Sequence, residues 1–370
     1  GAPTERTRGR SCWAVRVCPG TVVVMMQVIP RHLHSRLTAA TRRQLRRVPG
    51  RALVVCVALA LGVGGSLDAH ALRRAVGDPS QSQAKTKTKT KKKYTTHIDK
   101  ETRKRLRYHW LEAPHLKKRF RYMVYLPKGG IKPGRRYPIV VLLHGLGEFP
   151  HGWITLGKVH ELIDTLVSDG KMPEPILLLA SGRNGYWTNW ADGQHPYGDL
   201  VVSRYLEDMR KRYPITDRAD LTAVVGCSMG GFGALSLGLR HPETFGFVAA
   251  LSPTDMEEAV RMQPKRPVYL NLVGPPPFAN AVSRINPRQL VERGFGSPRQ
   301  NFMLVYGSRE GPKFGKGTQR VADQMRLRGL DVQVMRVEGE GHGWRNAWAR
   351  SHPWWVKQLA KRWRTALLRD

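Results

Sequence analysis

Residues 118–370 alternate between short apolar runs and longer amphipathic stretches. Residues 121–126, Arg-Tyr-Met-Val-Tyr-Leu, alternate polar and apolar and predict an early antiparallel strand. Residues 138–143, 175–180, 220–225 and 247–251 are unbroken apolar runs of strand length, the pattern of parallel strands buried on both faces. Residues 301–306 and 332–337 supply two more strands. Between them, residues 159–168, 200–212, 232–241, 318–327 and 353–367 read as helices. Residues 128–136 form a glycine-rich turn. Residues 253–299 are proline-rich, with Pro275-Pro276-Pro277 at their middle, and are expected to be an irregular insertion serving as a lid or facing a substrate. The alternation predicts an α/β fold with a mostly parallel central sheet, helices on both faces and right-handed crossovers.

Charge separates this body from what precedes it. The 370 residues carry a formal net charge of +34. Residues 1–110 hold 24 Lys and Arg against 5 Asp and Glu, a net of +19, which leaves +15 for the other 260. Residues 1–24 are expected to be an upstream extension, with Met25 or Met26 as the start. Arg42, Arg43, Arg46, Arg47 and Arg51 then precede the apolar run 52–65 and the small-residue site Ala69-His70-Ala71. That order predicts a cleaved secretory signal within a leader 1–71, so the protein is expected to be exported, periplasmic or extracellular. The run is short for a membrane span, which needs about 20 residues, and an uncleaved anchor is the alternative. Residues 72–110 are expected to be a disordered basic linker, because the lysine-threonine run 85–93 repels itself and buries almost nothing. It offers contact with an anionic surface. No zinc-finger spacing, RNA-binding signature or basic heptad helix argues for a specific nucleic-acid partner. Of the four cysteines, Cys12, Cys18 and Cys56 fall in the leader and only Cys227 in the body 111–370, so no disulfide is expected within that body.

The candidate chemistry sits on Gly226-Cys227-Ser228-Met229-Gly230-Gly231, between the apolar strand 220–225 and the helix that follows. Strand, tight turn and helix are the context of a nucleophile elbow, with Ser228 exposed on the turn. A serine hydroxyl needs a general base, and the base needs an orienting acid. The chain order serine, acid, histidine is available: Glu310 follows the strand 301–306, and His342 follows the strand 332–337, between Gly341 and Gly343. Glu338 and Glu340 are alternative acids, but they share the loop of His342. Two backbone N–H groups would receive an oxyanion: that of Met229, next to the nucleophile, and that of Leu146 in His144-Gly145-Leu146-Gly147. His144, Trp187, Trp190 and Trp344 are candidate walls of a substrate cleft. No metal and no organic cofactor are required.

Four segments carry a resemblance: 143–147 (Leu-His-Gly-Leu-Gly), 226–234 (Gly-Cys-Ser-Met-Gly-Gly-Phe-Gly-Ala), 307–310 (Gly-Ser-Arg-Glu) and 341–344 (Gly-His-Gly-Trp). With the aromatic segment 186–193 they make residues 118–365 resemble the esterase branch of the α/β-hydrolases. That branch includes feruloyl and acetylxylan esterases, S-formylglutathione hydrolases and mycolyltransferases. Many of its members have Asp where this chain has Glu310. The resemblance implies an α/β-hydrolase domain in 111–370 that cleaves carboxylic esters through an acyl-enzyme, on a small-molecule or polysaccharide-linked substrate. An acyltransferase on the same acyl-enzyme, or a non-catalytic polyanion- or envelope-binding protein on a hydrolase scaffold, are the alternatives.

Overall fold

The computed structural model describes residues 98–369. The leader, its cleavage site and the lysine run 85–93 lie outside the described residues. One sheet of eight strands organises the described chain, in the order β1-β2-β4-β3-β5-β6-β7-β8. The strands are β1 (Leu106–Ala113), β2 (Lys118–Tyr125), β3 (Ile139–Leu143), β4 (Ile176–Leu179), β5 (Thr222–Cys227), β6 (Phe247–Leu251), β7 (Asn301–Gly307) and β8 (Asp331–Val337). β1 pairs with β2, and β2 with β4, antiparallel; all other pairings are parallel. All five residues of β3 are wholly buried. The strand period of two divides them: Ile139, Val141 and Leu143 join one core, Val140 and Leu142 the other.

Each core is closed by helices. The principal ones are α1 (Val159–Ser168), α2 (Leu206–Arg212), α3 (Met229–Arg240), α4 (Gly315–Leu327) and α5 (Ala349–Leu367). Phe232 and Leu235 of α3, Met209 of α2 and Met325 of α4 fill the first core. Ile163 of α1 and Trp355, Leu359 and Trp363 of α5 fill the second. Among the described residues no helix is long and apolar enough to cross a membrane.

Two sequence expectations are corrected here. The linker 72–110 is not disordered at its end: Lys100–Arg105 is a helix and β1 begins at Leu106. Asp99 caps that helix, accepting the Thr102 N–H at 2.9 Å, and Arg105 grips Asp164 with two bonds of 2.5 and 2.9 Å. The strand escaped the pattern because its outward face carries aromatic rings. Tyr108 and Trp110 are about half exposed, each covered by an arginine of β2, Arg121 at 4.5 Å and Arg119 at 4.9 Å from the ring centres. The proline-rich insertion is also more ordered than expected. It holds four short helices, Met256–Met262, Pro267–Val273, Ala279–Ile285 and Pro287–Glu292. Pro267 and Pro287 stand in the first turn, where the missing N–H costs nothing. Asp255 caps the first of the four.

Candidate active site

The carboxyl ends of the parallel strands meet at one edge of the sheet. There the loop after β3 carries residues 144–148, β5 runs into Ser228, β7 is followed by Glu310, and β8 by His342. Ligands of open α/β sheets bind at this edge.

The turn between β5 and α3 is tight enough to constrain its backbone. Ser228 has φ 55° and ψ −114°, a left-handed conformation uncommon outside glycine, and its N–H donates to Leu251 O at 2.8 Å. Gly226 and Gly230 make that turn possible. A Cβ on Gly226 would stand 2.0 Å from the carbonyl oxygen of Gly230, and one on Gly230 would stand 2.1 Å from that of Leu143. The second contact seats the 144–148 loop against the first turn of α3. The N–H of Met229 lies in that first turn, where backbone donors lack intrahelical acceptors.

Ser228, His342 and Glu310 come together in one line. His342 Nε2 is 2.9 Å from Ser228 Oγ, and Nδ1 is 2.9 Å from Glu310 Oε1. A carboxylate only accepts, so Nδ1 carries the proton and the neutral ring accepts from the serine through Nε2. The side chain of Glu310 has no exposed surface. Its Oε1 also accepts from Ser252 Oγ at 2.6 Å, and Ser252 Oγ accepts from Trp348 Nε1 at 2.9 Å. The alternative acids are occupied elsewhere: Glu338 pairs with Arg336 at 3.2 Å and Glu340 with Arg350 at 2.9 Å. Phe314 stacks on the His342 ring at 4.0 Å and Trp348 meets it edge-on at 4.8 Å. Ring rotation is thereby restricted on both sides.

The loop that carries Leu146 is held from beneath by Glu148. Its Oε2 accepts the N–H of Gly145 at 3.0 Å and its Oε1 that of the Trp344 indole at 2.8 Å; the thiol of Cys227 lies 3.7 Å from Oε2. Burial pushes the Glu148 carboxyl above its ordinary range, and the two N–H bonds offset this in part. His144 is buried, and burial lowers its pKa to about 4, so it is neutral at physiological pH. Its Nδ1 donates to Gly145 O at 2.9 Å and its Nε2 accepts from Gly182 N–H at 3.3 Å.

The four residues expected to line a cleft do not meet in one: Trp187 and Trp190 border a cavity of about 520 Å³ to which Ser228 and His342 do not contribute, and His144 and Trp344 lie apart from it. Trp187 is 1% exposed and donates to His144 O at 3.2 Å, while Trp344 packs against Trp153 and Trp348 at 4.8 and 5.1 Å. Both brace loops rather than face solvent. Trp190 is partly buried over His195 at 4.4 Å, and His144 borders a groove considered below. Sequence reasoning missed Ser252, Phe314, Trp348 and Glu148. Ser252 follows an apolar strand directly, as catalytic groups of such sheets do, and Glu148 closes the Gly145 turn; Phe314 and Trp348 left no sequence signal. Among the described residues no group of three His, Cys, Asp or Glu side chains is placed to hold a metal ion.

A predominantly parallel sheet covered on both faces, with a serine elbow between a central strand and its helix, defines an α/β-hydrolase. The fold agrees with that of a solved ferulic acid esterase, 21% identical with a TM-score of 0.57, over 70% of this chain and 98% of that one. The chain belongs to the family described as "Putative esterase", whose model matches residues 113–365. It is 30% identical over 155 residues to an endo-1,4-beta-xylanase/feruloyl esterase of Xylanibacter ruminicola, covering 40% of this chain and 21% of that protein. It is 29% identical over 111 residues to an acetyl esterase of Caldicellulosiruptor saccharolyticus, covering 30% of this chain and 39% of that protein. The match thus spans about a fifth and two fifths of the length of these two relatives.

Proposed function

We propose that this protein is an exported serine hydrolase that cleaves carboxylic esters through an acyl-enzyme. The observation that carries the reading is the unbroken hydrogen-bonded line from Ser228 Oγ through His342 to Glu310. In the first half-reaction Ser228 Oγ attacks the ester carbonyl and its proton passes to His342 Nε2. The imidazolium that forms is stabilised by the buried Glu310 carboxylate, which Ser252 holds in place. The carbonyl oxygen becomes an oxyanion facing the N–H groups of Leu146 and Met229. Collapse breaks the bond to the alcohol oxygen, which leaves with the proton from His342. Water then repeats the sequence on the acyl-enzyme: His342 takes its proton, the carboxylic acid departs, and Ser228 regains its hydrogen.

The test is turnover of 4-nitrophenyl acetate together with labelling by a fluorophosphonate. Ser228→Ala should abolish labelling and lower kcat by about 10⁶, His342→Ala by nearly as much, and Glu310→Gln by about 10⁴, following comparable triads. Unchanged turnover in Ser228→Ala would sink the reading. Export rests on the basic stretch, the apolar run and the small-residue site of residues 42–71. N-terminal sequencing of protein recovered from the periplasm or medium should begin near Leu72; a chain that retains the run 52–65 points to an anchor instead.

A further inference from the structure

A groove lies at the same edge of the sheet as Ser228, and the β1–β2 hairpin is one of its walls. Met123 of β2 pairs with Leu179, the last residue of β4. Residues 118–122 therefore run past the end of β4, on the side from which the catalytic loops emerge. Their partners on β1 go with them, Trp110 opposite Arg121. The groove so formed has a volume of about 480 Å³, in the range of small-molecule sites. It is bordered by Trp110, Arg121, His144, Glu148, Phe149 and Arg183. His144 and Glu148 belong to the loop that carries Leu146, so the groove borders the loop expected to receive the oxyanion.

Its charge is one-sided. Arg119, also at the rim, is paired with Glu112 at 2.7 Å. Arg121 lies over Tyr108 and Arg183 over Phe120, at 4.5 and 5.9 Å from the ring centres, and neither faces a carboxylate in an ion pair among the described residues. The one carboxylate that borders the groove, that of Glu148, is committed to Gly145 and Trp344. Arg183 stands on a backbone of φ 48°, and the next residue, Asn184, accepts the Gly147 N–H at 3.0 Å. That bond fixes the arginine's loop to the turn beside the nucleophile. Trp110 and Phe149, both bordering the groove, leave 52% and 65% of their surface in solvent.

We infer that this groove receives an anionic part of the ester substrate. Carboxylate, sulfate or phosphate oxygens would be held by the planar forks of Arg121 and Arg183, with the adjoining carbon skeleton against Trp110 and Phe149. The inference rests on Ser228 as the nucleophile and adds a substrate class to it.

The experiment compares kcat/KM within matched pairs of esters. One pair carries the charge on the acyl chain, 4-nitrophenyl hexanoate against the mono-4-nitrophenyl ester of adipic acid. The other carries it on the leaving group, 4-nitrophenyl acetate against 3-carboxy-4-nitrophenyl acetate. The double variant Arg121→Gln/Arg183→Gln should lower the charged-to-neutral ratio at least fivefold for one pair. In the natural protein the same ratio should fall as salt rises from 20 to 500 mM, since exposed charges are screened over about 8 Å at physiological ionic strength and less at higher salt. The ratio cancels any general loss of folded enzyme. Ratios that stay within twofold for both pairs overturn the inference while leaving the esterase reading intact. If the natural protein turns over no ester and takes no fluorophosphonate, the assignment of Ser228 falls and the substrate class falls with it.

Discussion

Ser252 is buried, has φ 50°, and stands where β6 ends. It occupies a position between two functional groups: its hydroxyl donates to the same Glu310 oxygen that His342 Nδ1 addresses, and it accepts from Trp348. A hydrogen bond to a charged group contributes about 1.5–3 kcal/mol, so its loss should loosen the acid rather than remove it. Ser252→Ala should lower kcat about tenfold with KM little changed; a kcat within twofold of the natural protein's would show that Glu310 is fixed by its other neighbours. Ser228, His342 and Glu310 were legible as a set because each follows a recognisable strand and the chain order is fixed by the fold. The supporting shell was not. Ser252 and Trp348 stand 96 residues apart, and nothing in either local stretch marks them as partners.

At the level of elements, Glu148 joins three segments: the turn after β3, the end of β5 and the stretch after His342. Burial raises its carboxyl, so in the window above the unfolded value near 4.5 the native state holds a proton more firmly than the unfolded chain does. The stability tied to that proton is present at low pH and is lost as pH rises through the raised native value. Glu148→Gln cannot titrate. The stability of the natural protein minus that of Glu148→Gln, from denaturant midpoints between pH 4 and 8, should therefore decline as pH rises. A difference that is flat or grows with pH contradicts the assignment. The strands buried on both faces, β3 to β6, were the most legible elements, since continuous apolar runs leave little else for them to be. β1 was illegible for the opposite reason, because its aromatic side faces solvent under arginines. The four helices in 256–292 were hidden by prolines, which break a helix in its middle but begin one at its first turn.

For the whole molecule, the described residues begin at 98, directly before the Asp99 cap. A cut at 101 would strip the Asp99 cap from the helix that delivers Arg105 to Asp164, so the domain should be taken from 98 onward. Residues 72–97 carry eight Lys and Arg against one Asp. Removing residues 1–97 should leave turnover of a small neutral ester within twofold and weaken retention on an anionic polymer at low salt. Loss of activity in a domain that keeps its circular dichroism would make the extension part of the catalytic apparatus. That shortened molecule also has a practical property. Cys227 becomes its single cysteine, walled in beneath the elbow with its thiol pushed well above the usual range by burial. Maleimides and other thiol reagents will bypass it while the protein is folded. One cysteine introduced on the surface then takes a fluorophore or spin label at a known place, with the native residue left undisturbed beside the nucleophile.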